Sequence, residues 1–149
     1  MEKILTNNRR AGFLYEIRDK FEAGLELTGP EVKSMRLGRA NLNAAHVIVR
    51  GGEAYLVNAD VPAYQAANLP RDYNPRRPRR LLLKYEEIEQ LAQAVDHDRL
   101  TIVPLSIYNK GRRLKLSLAT ARGKKRYDKR EVLKKRESDR QIRRSLKNF

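Results

Sequence analysis

Apolar and polar positions change their spacing several times along the 149 residues of this chain, and each change predicts an element. Between 13 and 27, Phe13, Tyr15 and Ile17 alternate with Leu14, Glu16 and Arg18, and Leu25 and Leu27 flank Glu26. A period of two belongs to a half-buried strand, and Ala23-Gly24 is the expected site of a bend or bulge. At Thr28-Gly29-Pro30-Glu31 the spacing becomes helical: a Thr at the cap position, a Pro in the first turn and a Glu three residues after the cap make a capping box. Val32, Met35 and Arg36 follow at helical spacing and Gly38 is the stop, which predicts a short helix over 30–37. Ala45 to Val49 and Ala54 to Val57 flank Arg50-Gly51-Gly52-Glu53, a hairpin whose Gly pair supplies positive φ.

The stretch 60–80 has no period and holds four of the six prolines, with Arg71, Arg76, Arg77, Arg79 and Arg80 around Tyr73. It is expected to be a long basic loop. After Leu81-Leu82-Leu83, the positions of Ile88, Leu91, Ala92 and Val95 predict an amphipathic helix over 86–97, with Glu86 and Glu87 at the favourable end of its dipole. Strands follow over 100–108 and 113–119, joined by Asn109-Lys110-Gly111-Arg112; Pro104 places the first at an edge or a bulge. Five or six short strands with one capping helix and another inserted between strands predict a mainly β, α+β protein. The expected architecture is a small antiparallel barrel of the oligonucleotide-binding type with helices packed on it.

Charge divides the chain in two. Residues 122–149 hold thirteen Lys and Arg against four carboxylates, a net +9, while residues 1–121 hold twenty against fourteen, a net +6. The expected organisation is a barrel over 1–121 and a basic tail over 122–149. At this density like charges repel, so the tail is expected to be extended or fluctuating alone and to gain structure on a polyanion. Asp128 and Glu131 can cap a helix over 129–147, about 28 Å long, whose thin apolar face leaves it marginal without a partner. Apolar anchors are too sparse there for an interfacial membrane helix, which leaves nucleic acid as the expected polyanion.

Other chemistries find little support. The chain has no cysteine, which removes thiol catalysis and thiolate metal sites, and no apolar run of signal-peptide or membrane-span length, which fits a soluble cytoplasmic protein. His46 and His97 have no acid or nucleophile spaced to pair with them, the glycines form no phosphate loop, and neither a metal nor a cofactor is expected. Glu31 carries two readings: it closes the capping box, and it could accept hydrogen bonds from base or ribose donors while Lys33 and Arg36 meet phosphates. In the basic loop, guanidinium planes beside Tyr73 suit stacking on exposed bases, although a solvated connection is the plain alternative. Tyr127, ahead of the tail helix, is placed to stack on a base.

With those residues in view, the chain resembles the small protein B family, the tmRNA-binding proteins of bacterial ribosome rescue. The resemblance rests on Asn8-Arg9-Arg10-Ala11, Phe21-Glu22-Ala23-Gly24, Thr28-Gly29-Pro30-Glu31-Val32-Lys33-Ser34-Met35-Arg36, Pro78-Arg79-Arg80-Leu81-Leu82-Leu83, Leu100-Thr101-Ile102-Val103-Pro104-Leu105 and Gly123-Lys124-Lys125-Arg126-Tyr127-Asp128-Lys129-Arg130. It implies a barrel that holds the tRNA-like domain of tmRNA, with Glu31, Lys33, Ser34, Arg36, Arg76, Arg77, Arg79 and Arg80 on the RNA-binding side. It implies a tail that enters the vacant mRNA channel of the small ribosomal subunit, with Lys124, Lys125, Tyr127, Asp128, Lys129 and Arg130 binding the ribosome and Tyr127 stacking in the decoding centre. It implies no catalysis: a protein that is a monomer when free delivers alanyl-tmRNA, and meets the elongation factor that carries aminoacyl-tRNA only through that RNA. Departures from the family pattern fall at Gly12, Phe13, Leu14, His46, Asp60 and Lys84. The alternative is a ribosomal or general single-strand RNA-binding protein without tmRNA specificity; a basic nuclease, which would need a carboxylate such as Glu31, has no supporting acid spacing.

Overall fold

The computed structural model describes residues 2–64 and 72–124 and the single positions 136, 137 and 140. Among these, the elements in chain order are β1 (Glu2–Asn7), α1 (Ala11–Leu14), β2 (Tyr15–Leu25), α2 (Gly29–Arg36), β3 (His46–Arg50), β4 (Glu53–Val57), β5 (Arg79–Leu82), α3 (Tyr85–Asp96), β6 (Thr101–Lys110) and β7 (Arg113–Gly123). All strand pairings are antiparallel, in the order β1-β6-β3-β4-β5-β2-β7, and β7 pairs again with β6. That last pairing closes β6, β3, β4, β5, β2 and β7 into a ring, with β1 added along the outer half of β6. Closure pairs every ring strand on both sides over part of its length.

Period two fills the ring. On β7 Leu114, Leu116 and Leu118 point inward, on β4 Ala54 and Leu56, and on β5 Leu81, all buried. Met35 from α2 and Leu91 from α3 plug into the same core. Each fully buried leucine contributes roughly 2 kcal/mol relative to exposure, so the packed interior dominates stability. On α3 the inward residues are Ile88, Leu91 and Ala94, while Val95 is left 39% exposed, a shift of the expected apolar stripe by one position.

Several expectations are met and several are corrected. The Thr28-Glu31 capping box forms at the start of α2, and β3 and β4 pair around Gly51 and Gly52, whose φ angles are +60° and +77°. The Pro104 strand carries its bulge between Pro104 and Ser106. Asn8 holds that bulge, its amide Nδ2 donating to the Pro104 carbonyl at 2.8 Å and its backbone N–H to Leu105. The irregularity in β2 lies between Ile17 and Lys20 rather than at Ala23-Gly24, because the Asp19 N–H leaves the ladder to donate to Thr120 Oγ1 at 3.1 Å. Gly24 is needed for another reason: a Cβ there would lie 3.2 Å from Leu82 Cβ on the neighbouring strand. Phe13 and Leu14 belong to the short helix α1 and not to the strand, and Glu2–Asn7 adds a strand that alternating charge had hidden. β7 runs to Gly123, and the Lys124 N–H bonds the Leu14 carbonyl at 2.9 Å.

The β3–β4 turn gives a clean test of backbone conformation, because nothing lies within 4 Å of a Cβ built at Gly51. Gly51→Val is expected to cost about 1–2 kcal/mol in chemical unfolding, from the left-handed backbone alone, while Gly51→Asn is expected to stay within about 0.5 kcal/mol of the parent.

Candidate nucleic-acid interface

The basic loop ends where β5 begins, and the strand's alternation sorts its arginines. Arg79 and Leu81 face the interior; Arg80 and Leu82 face out. Helix α2 is sorted in the same way, with Glu31, Ser34 and Met35 on the buried face and Lys33 and Arg36 exposed. Of the inward polar residues, Glu31 and Arg79 meet. Glu31 Oε2 accepts from Arg79 Nε at 2.7 Å and from Arg77 Nε at 3.0 Å, and Oε1 accepts from Arg77 Nη2 at 2.5 Å and from the Thr28 N–H at 2.9 Å.

Arg79 is fully buried, and every donor of its guanidinium is used. Nη1 donates to the carbonyls of Ala59 and Arg77, both at 3.1 Å, and Nη2 to the carbonyl of Pro75 at 3.0 Å and to the Tyr73 hydroxyl at 3.5 Å. Tyr73 in turn donates to the Val61 carbonyl at 2.7 Å, and the Val61 N–H donates to Pro75 at 3.0 Å. A buried ion pair is tolerable only when its remaining lone pairs and protons are satisfied in this manner. The described part of the basic loop is thus bolted to the barrel from inside, not suspended in solvent.

Burial on its own would raise the Glu31 pKa; the hydrogen bonds from Arg77 and Thr28 and the charge of Arg79 outweigh it and hold the carboxyl down at about 2. Burial, followed by the nearby Glu31 charge, pushes the Tyr73 phenol up.

The residues expected on the RNA side therefore separate. Glu31, Ser34 and Arg79 are buried, with Ser34 Oγ donating to the Pro62 carbonyl at 2.8 Å, so all three hold the frame. Both Glu31 oxygens accept from the protein's own donors. Arg77 is half-buried in the same cluster. Lys33, Arg36 and Arg76 are exposed, with Lys33 Nζ 5.4 Å from the Tyr64 ring centre, and Arg80 reaches Glu53 at 3.1 Å and Glu26 at 3.3 Å on the outer face. Lys124 closes the body, its Nζ donating to the Gly12 carbonyl at 2.8 Å. Lys125, Tyr127, Asp128, Lys129 and Arg130 lie outside the described residues.

The sequence reading did not weigh Arg112, Arg113 and Lys115, which the β6–β7 turn brings beside Arg36; the Arg36 Nη2 donates to the Arg112 carbonyl at 2.9 Å. Their clustering about the Gly111 turn was the available signal. Among the described residues no helix is long and apolar enough to cross a membrane, and no group of His, Asp and Glu could hold a metal.

A closed antiparallel barrel with an internally braced arginine loop and a cationic surface places the chain in the class of small basic β-barrel proteins. The family model described as "SmpB protein" matches residues 5–148, and the chain belongs to that family. It is 46% identical over 147 residues to the SsrA-binding protein of Gloeothece citriformis and, equally, to that of Trichormus variabilis, covering 99% of this chain and 95% of each relative. Among solved structures it is similar to a chain of "tmRNA-SmpB: a journey to the center of the bacterial ribosome", with a TM-score of 0.67 and 39% identity, covering 85% of this chain and 92% of that one.

The depressed Glu31 pKa fixes a pH dependence. A carboxyl that titrates at about 2 in the folded chain, against 4.5 ordinarily, contributes stability that is complete above about pH 5 and is lost as pH falls toward 2. Relative to Glu31→Gln, the parent is expected to lose on the order of 3 kcal/mol over that window in thermal or urea unfolding. At neutral pH Glu31→Gln is expected to cost about 3 kcal/mol, because two guanidiniums share a neutral acceptor. Parallel pH curves would remove the ionised carboxylate from the account.

Proposed function

We propose that this chain binds tmRNA and delivers alanyl-tmRNA to stalled ribosomes in trans-translation, its body holding the tRNA-like domain and its tail occupying the empty mRNA channel. The observation that carries this reading is the cluster of Glu31 with Arg77 and Arg79, which fixes one side of the barrel as a preformed cationic surface. A fixed surface loses little conformational entropy on binding a folded RNA, which favours recognition of shape over capture of any single strand.

Roles divide on that surface. Lys33, Arg36 and Arg76 are exposed and donate to phosphates; Arg77 lies at the edge, with its side chain 34% accessible; Glu31, Ser34 and Arg79 position the others and do not touch RNA. Arg80, already shared by two carboxylates on the outer face, contributes least. Tail residues Lys124, Lys125, Tyr127, Asp128, Lys129 and Arg130 serve the small subunit, where thirteen cations set against four carboxylates suit a channel lined with ribosomal RNA. The family relatives carry the name SsrA-binding protein, which supports the RNA partner. The protein works on the ribosome in the cytoplasm, catalyses nothing, and meets the elongation factor that carries aminoacyl-tRNA through tmRNA alone.

The full chain is expected to bind the tRNA-like domain of tmRNA more tightly than an elongator tRNA at moderate salt. Lys33→Ala, Arg36→Ala and Arg76→Ala are each expected to weaken that binding and to reduce the slope of log K against log salt by about one. Truncation after Lys124 is expected to keep the preference. Equal affinity for both RNAs, abolished by that truncation, would replace this reading with general RNA binding by charge.

A further inference from the structure

Beyond the arginine loop, β2, α2, β5 and the β6–β7 turn enclose a groove of about 420 Å³. Its floor is aliphatic, built from Leu25, Val32, Leu82 and Leu114. Leu82 is 48% exposed, since the period of β5 that buries Leu81 turns it outward, and it rests against the bare backbone of Gly24. The rim is cationic: Arg36, Arg112, Arg113 and Lys115 stand around the floor. No described carboxylate is in salt-bridge contact with any of the four. The bond from Arg36 to the Arg112 carbonyl ties α2 to the turn, so the rim is held in place.

The chemistry of the groove differs from that of the arginine loop. The rim supplies guanidiniums that could meet phosphates or bases, but the floor is aliphatic and no residue lining it carries a ring on which a base would stack. An exposed aliphatic floor marks a protein contact, and a cationic rim, in which Lys115 also feels the charge of Glu22, selects the sign of its partner. The basic tail of this chain, net +9, is repelled by that rim. We propose that the groove docks an acidic segment of a partner protein, with leucine-type side chains entering over Leu82 and Asp or Glu side chains meeting Arg36, Arg112, Arg113 and Lys115. The groove then adjoins the RNA surface and shares Arg36 with it, while its aliphatic floor is its own, and the groove stands whether or not the tmRNA reading does.

The test is fluorescence anisotropy of the full chain with a labelled 14-residue peptide, a length on the order of one docked segment, in which leucines recur every third or fourth position among Asp and Glu. Saturable binding is expected with Kd of about 10–100 µM. Leu82→Asp and Arg113→Glu are each expected to weaken it at least about ten-fold, an amount typical of an interface anchor. A peptide of equal charge with serines for leucines is expected to lose binding at moderate salt. Both variants are expected to keep the parent's circular dichroism and its affinity for the tRNA-like domain; Arg113, an exposed residue, keeps the test valid if Leu82→Asp misfolds. Equal binding of the serine peptide would reduce the groove to a charge patch and overturn the proposal. So would absence of peptide binding with a loss of RNA affinity in the two variants, which would assign the groove to RNA.

Discussion

One buried carboxylate organises the functional side of this protein. Glu31 is 1% exposed and Arg79 not at all, and withdrawing such groups from water costs several kcal/mol per ion. The arrangement stands because nothing is left unpaired: the carboxylate takes two guanidiniums and a helix N-terminal amide, and the Arg79 guanidinium takes the carboxylate, three carbonyls and a phenol. Those partners come from α2, from β5 and from the segment between β4 and β5. An element of secondary structure and a long proline-rich connection thus acquire one common reference point in the core.

What the surface displays follows from what the interior consumes. Alternation on β5 and the helical period on α2 send one set of polar side chains inward as a frame and leave Lys33 and Arg36 on the outside, with Arg76 exposed in the turn ahead of β5. Position is set by the frame and charge by the display. A partner RNA then meets cations whose backbone is already fixed, and less of the binding free energy is spent on ordering. The aliphatic groove beside Arg36 comes from the same alternation, since the register that buries Leu81 exposes Leu82.

Much of this was legible in residue patterns where a single local rule governs. The Gly51-Gly52 hairpin, the Thr28-Glu31 capping box and the Pro104 bulge each follow from backbone or hydrogen-bonding limits of the residues concerned. Glu31 and the basic residues of α2 and the loop could be picked out from the chain, but their division into buried and exposed could not. Arg76, Arg77, Arg79 and Arg80 look alike in a run of charge, and only the strand that begins at Arg79 separates them by direction. Glu31 was legible as a cap and not as the core partner of arginines 46 and 48 residues away. Strand β1 was obscured because its alternation is carried by Lys3, Ile4, Leu5 and Thr6, with Ile4 58% exposed and only Leu5 packed on the core.

The most direct test of the frame is amide hydrogen exchange in the free, full chain, comparing the parent with Arg79→Lys. Lys keeps the charge but has no fork to reach Ala59, Arg77 and Pro75 together. The account predicts that the Val61 and Arg77 amides, bonded to Pro75 and Asn74, lose protection while amides of β6 and β7 keep theirs. Unchanged protection at Val61 and Arg77 would contradict it, and would mean that the loop holds its shape without the buried arginine.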